Sequence, residues 1–155
     1  MERARGEGEA RRSATGQAAR PAPLRESLGV ILALVAAKLA IHLPLAGRYG
    51  YFRDELYFLD LGRHLDFGYV DCAPLIGVYA KVALLLGGSL EVLRAIAALA
   101  GAGVVVLAVL LARELGGGRT AQALAGLAVI ATPIYLGIAS VLSMNVFEPL
   151  FWMGC

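Results

Sequence analysis

The chain of 155 residues is 59% hydrophobic and 17% charged, with a mean hydropathy of +0.71 and a formal net charge of +2. A soluble domain of this size interrupts its apolar residues with charge every few positions, whereas here six of fourteen basic residues fall in the first 25 positions and long runs carry none. The pattern excludes an ordinary soluble domain and predicts an all-α polytopic membrane protein. The net charge is set largely by that tail and gives no ground for a nucleic-acid partner. Two cysteines, Cys72 and Cys155, are too few for a disulfide framework, and no Cys/His cluster has metal-site spacing.

Residues 1–25 are rich in Arg, Ala and Glu, hold Pro21 and Pro23, and lack apolar periodicity. They read as a disordered, basic cytoplasmic tail under the positive-inside rule. The apolar run from Leu28 to Ala46 outlasts a signal-peptide core and contains Lys38, so it is read as a first span over 27–46, running from inside to outside. The 26–155 region is then the membrane domain.

From 47 to 91 the chain is predicted to form an outer loop with two surface helices. In the first, over about 54–66, Leu56, Leu59, Leu61 and Leu65 recur near helical spacing among Asp60, Arg63 and Asp66. Such a helix lies along the bilayer with its leucines down. The second follows Pro74, over about 74–87. The apolar run that contains it spans about 16 residues, or ~24 Å of helix, short of the ~30 Å hydrocarbon core. An interfacial or re-entrant placement also keeps the later turn at Arg113 and Arg119 on the cytoplasmic side, as positive-inside requires. Asp71 is expected to cap this helix, with Pro74 in its first turn.

Two further spans are predicted over 92–114 and 120–141, and a truncated one over 146–155. The last would end in mid-bilayer, which points to a piece of a longer protein. Small residues four apart, Ala97 with Gly101 and Ala98 with Ala102, favour close helix contact. Gly116-Gly117-Gly118 follows a membrane helix rather than a strand, so a phosphate-loop reading fails its context.

The chemistry-bearing residues gather in the outer loop. Asp54 and Glu55 are neighbours and point about 100° apart on a helix. One of them can face a cavity while the other meets water or Arg53. A partly desolvated carboxylate is a competent general base, although acids at a helix start also serve the helix dipole alone. Within the membrane, Lys38 and His42 share a face of the first span, and Glu148 is expected to pair with one of them in the bundle interior. The alternative is a snorkelling or wet Lys38.

The order of these features resembles the family-39 glycosyltransferases of the GT-C superfamily, which include protein mannosyltransferases and the aminoarabinose transferase of lipid A. The resemblance runs from Arg53-Asp54-Glu55-Leu56-Tyr57-Phe58 through Phe67-Gly68-Tyr69-Val70-Asp71-Cys72-Ala73-Pro74-Leu75 and Leu93-Arg94. It continues through Leu111-Ala112-Arg113-Glu114-Leu115-Gly116 to Leu142-Ser143-Met144-Asn145-Val146-Phe147-Glu148-Pro149-Leu150. It covers residues 27–155 and would correspond to the N-terminal part of such an enzyme.

The resemblance implies a GT-C-like helix bundle with interfacial helices in the first outer loop, lying in the plasma (inner) membrane. It implies Asp54, with Glu55 beside it, as the catalytic carboxylates, and Asp71 and Arg53 near the donor phosphate or a divalent metal. Asn145 and Glu148 fall at a second site. The donor would be a sugar on polyprenyl phosphate, and the acceptor a lipid, glycan or protein. Cys72 and Ala73 depart from the family's pattern of a basic or amide residue followed by proline. Asn145 stands where an acid is common and cannot act as a base. A transporter or non-catalytic polytopic membrane subunit, using Lys38, His42 and Glu148 as an ion or substrate path, is the competing class.

Overall fold

A computed structural model describes residues 23–155, so the predicted tail lies almost wholly outside the described residues. Every regular element among the described residues is helical: α1 (Leu24–His42), α2 (Arg53–Arg63), α3 (Pro74–Leu85), α4 (Leu90–Glu114), α5 (Arg119–Ala131), α6 (Pro133–Ile138) and α7 (Glu148–Gly154). Short 3-10 turns extend α1 over Leu43–Leu45 and precede α7 over Met144–Val146. Two stretches, Leu24–Leu45 and Leu90–Glu114, are long and apolar enough to cross a membrane.

The α4 helix is the axis, packed by α1, α5, α3 and α7. It begins at Ser89, whose hydroxyl accepts from the Val92 amide at 3.4 Å, supplying one of the donors that a helix start leaves free. It ends at Gly116, whose φ of +83° lets Gly117 N–H reach back to the Ala112 carbonyl at 2.8 Å. The triple glycine is therefore a helix stop with a left-handed residue. At α3 the same device recurs, Gly88 N–H donating to Ala83 O at 2.9 Å with Gly87 and Gly88 both at positive φ.

Small residues set the packing distances, as the sequence predicts. A Cβ on Gly101 would fall 2.7 Å from that of Ala139 and 3.3 Å from Lys38 Cε, and one on Gly126 would fall 2.5 Å from Leu34 Cδ1. Helices meeting at such places pack closely because no side chain holds them apart. Two apolar clusters result. Leu34, Val105, Val109 and Ile130 knit α1, α4 and α5. A larger one joins α2 and α3 to the start of α4 and to residues 139–147.

The predicted third span departs from expectation. Pro133 has no amide proton and biases Thr132 to extended backbone (φ −72°, ψ 120°). The stretch is two helices, α5 and α6, rather than one from 120 to 141. The last segment is likewise a 3-10 turn followed by the seven-residue α7.

The outer loop also differs in detail. Leu56 and Leu65 are exposed, and α2 instead buries Glu55, Phe58, Leu59, Leu61 and Gly62. That face meets α3, not a bilayer. The α3 helix buries Ile76, Gly77, Ala80 and Ala83 against it and exposes Leu75, Val78, Val82 and Leu85, an uncharged stripe. The two helices form a plate with one polar outer helix and one apolar outer helix. At their crossing, a Cβ on Gly62 would lie 2.8 Å from the Lys81 backbone nitrogen. Gly62→Val should push the helices apart and destabilise the protein by about 1–3 kcal/mol, read by unfolding in mixed micelles. Gly68→Ala, where a Cβ meets nothing within 4 Å, should be neutral; equal effects would refute this crossing.

Candidate functional site

Asp54 and Glu55 part company at the start of α2. Glu55 turns inward and is 0% exposed, and Arg94 in the first turns of α4 is 6% exposed beside it. The pair is bidentate: Arg94 Nε donates to Glu55 Oε1 at 3.1 Å and Nη2 to Oε2 at 3.0 Å. The remaining guanidinium protons reach carbonyls of the connecting loop, Nη1 to Ala46 at 2.8 Å and Tyr49 at 3.1 Å, and Nη2 to Gly50 at 2.8 Å. Glu55 also accepts from Phe52 N at 2.9 Å and Leu142 N at 3.2 Å. All five arginine N–H groups have partners, so both charges are buried with their hydrogen-bonding capacity largely met.

This knot fixes the start of α2. It ties α2, the loop from α1, the start of α4 and the irregular segment before the second 3-10 turn to one point. The sequence reading named Arg94 only as the opening of a span. The signal that could have found it is an arginine a few residues inside an apolar helix of membrane length, where an ionisable group needs a specific partner.

Asp54, by contrast, stands partly exposed with Arg53 Nε donating to its Oδ1 at 3.2 Å. Tyr57 lies one turn on, along the same stripe of α2. Its hydroxyl donates to Asp71 Oδ1 at 2.6 Å. Thus Tyr57 brings Asp71 onto the stripe that carries Asp54, although the two acids are 17 positions apart in sequence. Asp71 is not the helix cap that the sequence suggests: Ala73 occupies that position, with Pro74 in the first turn. Tyr69 closes the loop, its hydroxyl donating to the Leu61 carbonyl at 3.1 Å. The bond to Asp71, followed by burial and the carboxylate's charge, raises the Tyr57 pKa above its ordinary value. Burial likewise raises that of the Cys72 thiol, which therefore carries little thiolate.

Asn145 and Glu148 are exposed and both line a cavity of about 570 Å³ between α3 and residues 144–155. Ala73, two residues after Asp71, lies on the same lining. Glu148 does not pair with Lys38 or His42, because its side chain faces this cavity rather than the bundle interior. Lys38 instead donates to the Tyr135 carbonyl at 3.0 Å. Ser140 Oγ lies 2.8 Å from Leu136 O, to which it can donate, and shares a hydrogen bond of 3.3 Å with His42 Nδ1. Among the described residues no three His, Cys, Asp or Glu side chains converge as a metal site requires.

Asp71→Asn should bring the Tyr57 pKa down toward the ordinary tyrosine value. Below that value Tyr57 is protonated in both the folded and unfolded chain, so its preference for the neutral form affects stability only above it and opposes folding progressively less in the variant. Ultraviolet titration of the phenolate, compared with Tyr57→Phe, reads this; an unchanged Tyr57 transition would refute the contact. No protein-family model, no curated protein and no solved structure matches the chain.

Proposed function

We propose that the chain forms part of a membrane glycosyltransferase that moves a sugar from a polyprenyl-phosphate carrier to an acceptor on the non-cytoplasmic face. The observation that carries this reading is Asp54 and Tyr57 on the polar helix of the plate, with Asp71 held to Tyr57 from the following loop, beside a second helix that is apolar outward. A carrier of this kind keeps its prenyl chain in the leaflet and its phosphate and sugar at the interface. The exposed Leu75, Val78, Val82 and Leu85 of α3 suit the prenyl half, and the exposed carboxylates with the half-exposed Lys81 suit the polar half.

In the proposed reaction Asp54 accepts the proton of the acceptor hydroxyl as its oxygen attacks the anomeric carbon. The bond from that carbon to the phosphate oxygen breaks, and polyprenyl phosphate leaves with the electron pair, which inverts the configuration. Arg53, beside Asp54, is the local group able to stabilise the charge developing on the phosphate. Asp71 and Tyr57 orient the sugar or acceptor by hydrogen bonds. Glu55 has a positioning role through Arg94, since its oxygens are engaged.

A transport reading has one observation in its favour: buried Lys38 reaches α6 where Pro133 has broken an apolar helix. Ionisable groups at broken helices are common in transporters. The two readings separate by mutation in the native membrane. Asp54→Asn should lower transfer from polyprenyl-phosphate sugars by about two to four orders of magnitude, with insertion unchanged, while Asp60→Asn on the same helix is mild. A near-normal Asp54→Asn rate would remove Asp54 from the mechanism. Loss of solute uptake in Lys38→Met without any transferase activity would favour transport.

A further inference from the structure

The cavity beside α7 has a chemistry of its own. Glu148, Phe151 and Trp152 are spaced i, i+3 and i+4, so a carboxylate and two exposed aromatic rings share one face of the helix. Across the cavity stand Leu75, Ile76 and Tyr79 of α3. Tyr79 is fixed by Phe147, whose ring stacks on it with centroids 3.9 Å apart and planes 5° from parallel. Among the described residues, Glu148 carries the only charged side chain on the lining, and no Lys, Arg or His lines it.

We propose that this cavity binds an organic ammonium group carried on an apolar body. A cation is drawn to the faces of aromatic rings by their quadrupoles, and tryptophan is the strongest partner. A single carboxylate placed among such rings adds direct charge complementarity and disfavours an anion. The volume of about 570 Å³ falls within the ~300–1,000 Å³ of small-ligand sites. Its leucine and isoleucine wall accommodates hydrocarbon, not a second charge. An amine on a sugar or on an ethanolamine-type headgroup, and a quaternary choline-type headgroup, share this chemistry. The assignment is independent of sugar transfer by Asp54.

Trp152 is the sole tryptophan of the chain and reports on the site directly. The full chain in maltoside micelles is titrated with hexylammonium, hexyltrimethylammonium, hexanol and hexyl sulfate while its fluorescence is followed. Saturable changes are expected with at least one of the two cations, with hexanol and hexyl sulfate at least about ten-fold weaker. Glu148→Gln should weaken the cation by about ten-fold, equivalent to ~1.4 kcal/mol. A preference for hexylammonium assigns the site to amine-bearing ligands, and a preference for the trimethyl compound to choline-type ones. Hexanol or hexyl sulfate binding as tightly as the cations, or an unchanged affinity in Glu148→Gln, would overturn the proposal. Should the variant fail to fold, the charge selectivity of the unaltered chain still decides the matter.

Discussion

One buried ion pair organises this protein. Glu55 and Arg94 sit where four segments of chain meet, the carboxylate fully buried and the guanidinium nearly so. Removing two ions from water costs several kcal/mol each, and their attraction repays that only with good geometry and with the remaining polar positions filled. Here the geometry is bidentate and the filling partners are backbone groups of Ala46, Tyr49, Gly50, Phe52 and Leu142. Those groups belong to irregular chain, and at the buried Ala46 and Leu142 the carbonyl and amide would otherwise lack a partner. The pair thus satisfies the loop, and the loop satisfies the pair. Such reciprocity gives the outer layer a single arrangement rather than a set of near-equal ones.

The rest of the outer surface follows from that point. With Glu55 fixed inward, the helical period turns Asp54 and Tyr57 toward the margin and outside of α2, and Gly62 toward α3. The close crossing at Gly62 sets the plate, and the plate sets where Asp71 emerges. Tyr57 then completes the stripe through a single hydrogen bond. An exposed acid next to an arginine would be unremarkable on a mobile loop. On a plate pinned to the start of a membrane-length helix, it acquires a fixed height and direction.

Much of this was legible in the sequence. Lengths and hydropathy identified α1 and α4 as long apolar helices, and the shortness of the run after Pro74 separated α3 from them. The small residues at 97–102 marked a close contact, and the adjacency of Asp54 and Glu55 implied divergent environments. What escaped was long-range in origin. The leucines of α2 suggested a lipid-facing stripe, yet the face actually buried is chosen by Gly62 and by the partner of Glu55, 39 positions away. Pro133 carried a local signal for the break in the third apolar segment, and a continuous hydropathy pattern masked it. Glu148 seemed destined for the buried Lys38 or His42 by depth alone. Backbone and hydroxyl partners at Tyr135 and Ser140 took those groups instead.

The central claim is that Glu55 and Arg94 act as one unit, and a double-mutant cycle tests it most directly. Stability in mixed micelles is compared for the unaltered chain, Glu55→Gln, Arg94→Met and the double variant. Each single change leaves an uncompensated buried charge and should cost about 3–5 kcal/mol. With Arg94 already methionine, Glu55→Gln should cost almost nothing more, because the stranded carboxylate is removed with it. Additive losses in the double variant would contradict a coupled pair and leave the outer layer held by its apolar contacts alone.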